Sequence, residues 1–164
     1  MRMRKKKNLV PRLERAASAH IADPAALRGS WRTLYPGAKA LWLEIGCGKG
    51  LFAAEMAKAN PDVLFVAMEK DANAALTGIE RAVSESIPNL FFVIGDAAQL
   101  PAWFAPAEVS RLYLNFSDPW TRRNRFKRRL TYRGFLAQAF AALCLSHAYA
   151  ASLVAQMVKN LPAT

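Results

Sequence analysis

Four carboxylates, Glu44, Glu69, Asp96 and Asp118, fall at or beside the ends of apolar runs, where a chain can hold a charged ligand. Between the first two lies Gly46-Cys47-Gly48-Lys49-Gly50. Glycines in such a loop let the backbone turn tightly and approach a ligand without Cβ collisions, although the same run also serves as a plain structural turn. Glu69 follows Gly46 by 23 residues, a separation at which an acid accepts hydrogen bonds from the two hydroxyls of a ribose. The loop reads GxGxG, whereas a dinucleotide fingerprint reads GxGxxG and would need its third glycine where Leu51 stands. Glu44, two residues ahead of the first glycine, is a poor neighbour for a pyrophosphate and suits a cation. S-adenosyl-L-methionine carries both an ammonium and a sulfonium, and Asp96 can accept a hydrogen bond from its adenine amino group. These residues favour that cofactor over a nicotinamide dinucleotide.

The elements that must position them alternate between strand and helix. Asp23-Pro24 pairs a capping residue with proline at the first helical position, which predicts a helix from Pro24 to about Leu34. Pro36-Gly37 marks a turn. Leu41 to Ile45 reads as a buried strand, Leu51 to Ala59 as a helix stopped by Asn60-Pro61, and Val63 to Met68 as a second strand ending at Glu69. Asp71 can cap a helix reaching about Ser84; Leu90 to Gly95 is a third strand and Arg111 to Phe116 a fourth. The strands are apolar nearly throughout, as parallel strands covered on both faces should be. The expected fold class is therefore an open α/β sheet, with ligands at the carboxyl ends of its strands.

The distribution of charge points to a second partner. The chain has 164 residues, of which 53% are hydrophobic, and a formal net charge of +11. Residues 1–15 contribute +6 and residues 121–133 contribute +7, so the rest is nearly neutral. Two concentrated basic segments on a neutral body favour a polyanion, nucleic acid before membrane, because a phosphate backbone relieves their self-repulsion. A solvated tail is the alternative for residues 2–7. Two cysteines exclude a disulfide scaffold and a Cys-based zinc cluster, and no metal is expected. The opening MRMRKKKNLV lacks an apolar stretch behind it, so the expected compartment is the cytoplasm.

The segment Leu114-Asn115-Phe116-Ser117-Asp118-Pro119-Trp120, followed by the dense basic run to Arg133 that contains KRRLTYR, resembles the bacterial tRNA (guanine-N7-)-methyltransferases. Leu43 to Gly50 (LEIGCGKG), Glu69, Gly95-Asp96-Ala97 and the basic opening support the resemblance, which covers about residues 1–136. It implies a Rossmann-like class I methyltransferase sheet and methyl transfer from S-adenosyl-L-methionine to N7 of a guanine in the tRNA variable loop. Glu44, Gly46, Gly48, Glu69, Asp96 and Asp118 would bind the cofactor, with Asp118 also catalytic. Arg122, Asn124, Arg125, Phe126, Lys127, Arg128 and Arg129 would contact RNA. Arg122 stands where the family usually has Lys, and Thr121 where it commonly has Pro; the first change keeps the charge but replaces a point donor with a fork. Trp120 has two readings, stacking on a base or packing in a lid. His20 and His147 receive no role.

Three parts are expected: a basic N-terminal arm and helix over 1–40, an incomplete cofactor-binding core over 41–136, and an atypical Ala-rich tail over 137–164. The resemblance ends near Leu136, before the substrate residues and closing strands that the family carries later. Residues 134–158 form 25 positions without a charge, read as an Ala-rich helix rather than a membrane span. With the C-terminal strands missing, the fourth strand would be an uncovered edge, and the expectation is a weakly active or unstable chain. A catalytically inactive, basic RNA-binding module is the alternative to an enzyme.

Overall fold

The structure is a computed structural model, and it describes residues 6–115. Within them five parallel strands form one sheet: β1 (His20–Ile21), β2 (Ala40–Ile45), β3 (Val63–Glu69), β4 (Leu90–Ile94) and β5 (Arg111–Tyr113). Their spatial order is β1-β4-β3-β2-β5. The central strand β3 is buried from Val63 to Met68, which explains its unbroken apolar run. Side chains alternate between two cores. Leu41, Leu43, Ile45, Leu64, Val66 and Met68 join Trp31, Trp103 and Phe104 on one face, while Phe65, Ala67 and Phe92 pack on the other with alanines of the helices α2 (Leu51–Ala59) and α3 (Ala72–Ser84).

The chain steps from β2 to β3 to β4 in one direction and then returns to place β5 on the opposite side of β2. That reversal makes a topological switch point between β2 and β5, and open α/β sheets bind ligands beyond the carboxyl ends of the strands at such a point. The expected strands and helices agree closely with the observed α2, α3, β2, β3 and β4. Asp71 caps α3 as read, accepting from the Asn73 N–H at 2.8 Å. The fourth expected strand is regular only from Arg111 to Tyr113; Leu114 and Asn115 follow it, and Phe116 lies outside the described residues.

Two features depart from the sequence expectation. The helix predicted from Pro24 to Leu34 is two 3-10 turns, Pro24–Leu27 and Trp31–Leu34. Gly29 separates them at φ +83°, and the Glu108 carboxylate accepts hydrogen bonds from the N–H groups of Gly29 (2.9 Å) and Trp31 (3.1 Å). Those long-range bonds replace the ones a continuous helix would make. Secondly, β1 pairs with β4 and adds a fifth strand where four were expected. A short helix α1 (Leu9–Arg15) precedes it and docks on α3 through a two-pronged Arg12–Glu80 pair at 2.7 and 2.6 Å. A further short helix, α4 (Leu100–Trp103), supplies Trp103 to the first core; the buried Trp31 indole donates to the Trp103 carbonyl at 2.8 Å. No helix among the described residues is long and apolar enough to cross a membrane.

Candidate functional site

Strand β2 carries Glu44 to its carboxyl end, and the chain then leaves the sheet through Gly46-Cys47-Gly48-Lys49-Gly50 to enter α2. Gly46 and Gly48 have φ of +77° and +57°, a region that side-chain-bearing residues rarely adopt, and a Cβ on either would project into open space. Backbone conformation, together with a clear approach, is therefore what these two glycines provide. Gly50 differs. A Cβ there would lie 2.7 Å from the Phe92 ring and 3.2 Å from the Gly78 Cα, so Gly50 sets the close contact of the loop with α3 and the sheet. The packing role that a dinucleotide fingerprint gives its third glycine falls to Gly50, one residue before the exposed Leu51.

The loop is held from β3. The N–H groups of Gly46 and Cys47 both donate to the Met68 carbonyl, at 2.8 and 3.0 Å. Glu69 takes the next position: its Oε2 accepts from the Gly48 N–H and its Oε1 from the Asp71 N–H, each at 2.9 Å. One carboxylate thus fastens the glycine loop to the start of α3. Each of its oxygens retains a further lone pair for a ligand hydroxyl.

Glu44 is only 2% exposed. Its Oε1 accepts from the Asn115 side-chain amide at 3.2 Å, whereas Oε2 is buried and has no partner among the described residues. Burial pushes the Glu44 carboxyl up to about 7, the Asn115 amide works against that rise, and the nearby Glu69 charge adds to it. A buried carboxylate with one vacant acceptor is stabilised by a cation or an N–H donor. Cys47 is half-buried, and its thiol is pushed far up, chiefly by burial and then by the charges of Glu44 and Glu69, which favours the neutral form.

Asp96 follows β4 and begins a 3-10 turn, Ala97–Gln99. Its Oδ1 accepts from the Ala98 N–H at 3.0 Å and its Oδ2 pairs with Lys70 Nζ. The Ala98 N–H and the Lys70 ammonium hold its carboxyl below the ordinary range. Sequence reading assigned Asp96 to a ligand alone and gave Lys70 no part. The structure places Glu44, Gly46, Gly48, Glu69 and Asp96 together along the carboxyl edge of the sheet. Asn115 carries no signal in the sequence that marks it for the site; its bond to Glu44 requires β5 to lie beside β2. Asp118, Trp120, Arg122, Asn124, Arg125, Phe126, Lys127, Arg128 and Arg129 lie outside the described residues. No group of three His, Cys, Asp or Glu among the described residues is placed to hold a metal ion.

Residues 38–148 match the model of a protein family described as "Putative methyltransferase". The chain belongs to this methyltransferase family. It is similar to the tRNA (guanine-N(7)-)-methyltransferases of Limosilactobacillus fermentum, 42% identical over 84% of this chain, and of Bacillus cytotoxicus, 38% identical over 83%. The aligned part spans 64% and 63% of those relatives' lengths. Among solved structures, the fold is similar to that of the antibiotic-resistance methyltransferase Kmr, with a TM-score of 0.57 and 21% identity over 71% of this chain and 60% of that one. It is also similar to a "putative S-adenosyl-L-methionine-dependent methyltransferase" from Methanococcus maripaludis, with a TM-score of 0.53 and 13% identity over 99% of this chain and 76% of that one. The sheet is thus the class I methyltransferase sheet that the sequence implied.

Proposed function

We propose that the protein transfers the methyl group of S-adenosyl-L-methionine to N7 of a guanine in the variable loop of tRNA, forming N7-methylguanosine. Glu44 carries the cofactor half of this reading: a buried carboxylate below the glycine loop, with one oxygen unpartnered among the described residues, fits a cationic ligand. The substrate half rests on the names of the relatives and on Asp118-Pro119-Trp120 with the basic run behind it. The relatives named here are enzymes, and no observation favours a binding module alone.

Glu44 would hold the ammonium end of the cofactor, Glu69 would accept from the ribose hydroxyls through its remaining lone pairs, and Asp96 would accept from the adenine amino group. The bound cofactor supplies an electrophilic methyl group on a sulfonium. N7 of guanine has a lone pair and no proton, so no residue needs to act as a base to expose the nucleophile. The protein's work is then alignment of N7 with the methyl group. Asp118 would accept from the N1 and N2 edge of guanine and offset the positive charge left on the methylated base. Arg122 and the stretch from Asn124 to Arg129 would hold the RNA and make its binding steeply salt-dependent. The cytoplasm, where tRNA is processed, is the matching compartment.

Mass spectrometry of nucleosides from tRNA incubated with the protein and cofactor tests this directly. New N7-methylguanosine that Asp118→Asn abolishes is expected. A different methylated base would overturn the substrate assignment, and binding of neither cofactor nor tRNA by the folded chain would overturn the whole reading.

A further inference from the structure

The carboxyl end of β5 reaches across the switch point to the site. Asn115, two residues past the last regular residue of β5, donates its side-chain amide to Oε1 of Glu44 at 3.2 Å. The direction of that bond is fixed by chemistry, since an amide nitrogen donates and does not accept. It occupies one oxygen of a buried side chain, and it leaves Oε2 as the one fully buried side-chain acceptor without a partner among the described residues. Glu44 stands near the end of β2, beside β5 and the glycine loop, so the Asn115 bond ties together the carboxyl ends of these two paired strands.

We propose that Asn115 is a positioning residue: by donating to Oε1 of Glu44 it fixes the orientation of that carboxylate and leaves Oε2 as the acceptor for the ligand's ammonium. The inference rests on the cofactor reading above. Within the described residues the titratable groups acting with Glu44 are Glu69, from β3, and Cys47, from the loop. Glu69 disfavours the charged form of Glu44, and the Cys47 thiol stays neutral, so Asn115 supplies the favourable interaction from the protein side. Loss of this donor leaves a carboxylate that must give up a proton, at a cost, before it can hold a cation.

The test is calorimetric titration with S-adenosylhomocysteine, which keeps the α-ammonium and is not consumed, between pH 6.5 and 8.5. Wild-type affinity should fall as pH drops below about 7, where Glu44 protonates. For Asn115→Leu, a hydrogen bond worth about one pH unit moves that fall upward by about one unit. Binding should then be about eightfold weaker than wild type at pH 6.5 and within about 1.5-fold at pH 8.5. A merely structural defect would weaken binding equally at both. Asn115→Asp, which keeps the shape but removes the donor and adds a like charge, should shift the fall in the same direction and serves if the leucine variant does not fold. Profiles for both variants that superimpose on wild type, or a loss independent of pH, would overturn the role of Asn115 while leaving the cofactor reading intact. Failure of the folded wild-type chain to bind would overturn both.

Discussion

Glu44→Gln should make folding less sensitive to pH. In the folded chain the Glu44 carboxyl is raised from 4.5 to about 7, with burial as the main cause. Below the unfolded value the group is protonated in both states and imposes no penalty. As pH rises through the interval up to about 7, the unfolded chain releases a proton that the folded chain retains, so stability falls; above it the full penalty applies. A displacement of this size corresponds to about 3 kcal/mol at pH 8, most of which develops between pH 5 and pH 8. That is a large share of the 5–15 kcal/mol typical of a domain. Glutamine does not titrate, and it can still present an acceptor to Asn115. Urea unfolding of wild type and variant at pH 5, 6, 7 and 8 would give the difference in unfolding free energy. The variant should gain on wild type by about 2–3 kcal/mol across that range, whatever its offset at pH 5. Parallel curves would refute the reasoning, because they would mean that Glu44 is ionised at no cost in the folded chain.

Glu69→Gln leaves only one acceptor oxygen for the two backbone donors that the carboxylate now serves. Amide exchange at Gly48 or Asp71 should quicken by about tenfold or more, consistent with losing a charge-assisted bond, while the interior of α2 is unaffected; unchanged exchange at both amides would remove Glu69 as the fastener of the loop. Gly78→Ala places a Cβ 2.6 Å from the Phe92 ring and 3.1 Å from the Lys49 carbonyl. Overpacking should cost about 1–3 kcal/mol, seen as a lower denaturation midpoint, and a stabilised variant would show that only helix propensity matters there. Asn89→Leu deprives the carbonyls of Ala57, Asn60 and Val63 of one buried donor. It should destabilise by about 2–4 kcal/mol, and a denaturation midpoint equal to wild type would contradict that role.

The sequence exposes the elements that are long and apolar. The runs of β2, β3 and β4 and the capped start of α3 could be read residue by residue because burial on both faces and a side-chain cap each leave a local mark. The helix expected from Pro24 did not form as one piece because Glu108, far along the chain, supplies the acceptors that decide the backbone around Gly29. Two-residue β1 is too short to show any periodicity, and α1 lies inside a basic stretch that reads as an arm. The placement of Glu44, Glu69 and Asp96 at one edge was legible because strand ends in a parallel sheet converge there. The network that holds them was not. Pairing of Asn115 with Glu44 depends on the β3-β2-β5 order, and the contact of Gly50 with Gly78 and Phe92 depends on how α3 settles on the sheet.

Calorimetric titration of the folded chain with S-adenosyl-L-methionine, beside Asp96→Ala and Glu44→Gln, addresses the central claim most directly. Saturable one-to-one binding to wild type, lost in the first variant and weakened with little remaining pH dependence in the second, is the predicted result. A folded wild-type chain that takes up no cofactor, or binding that neither substitution alters, would contradict a cofactor site at the carboxyl edge of this sheet.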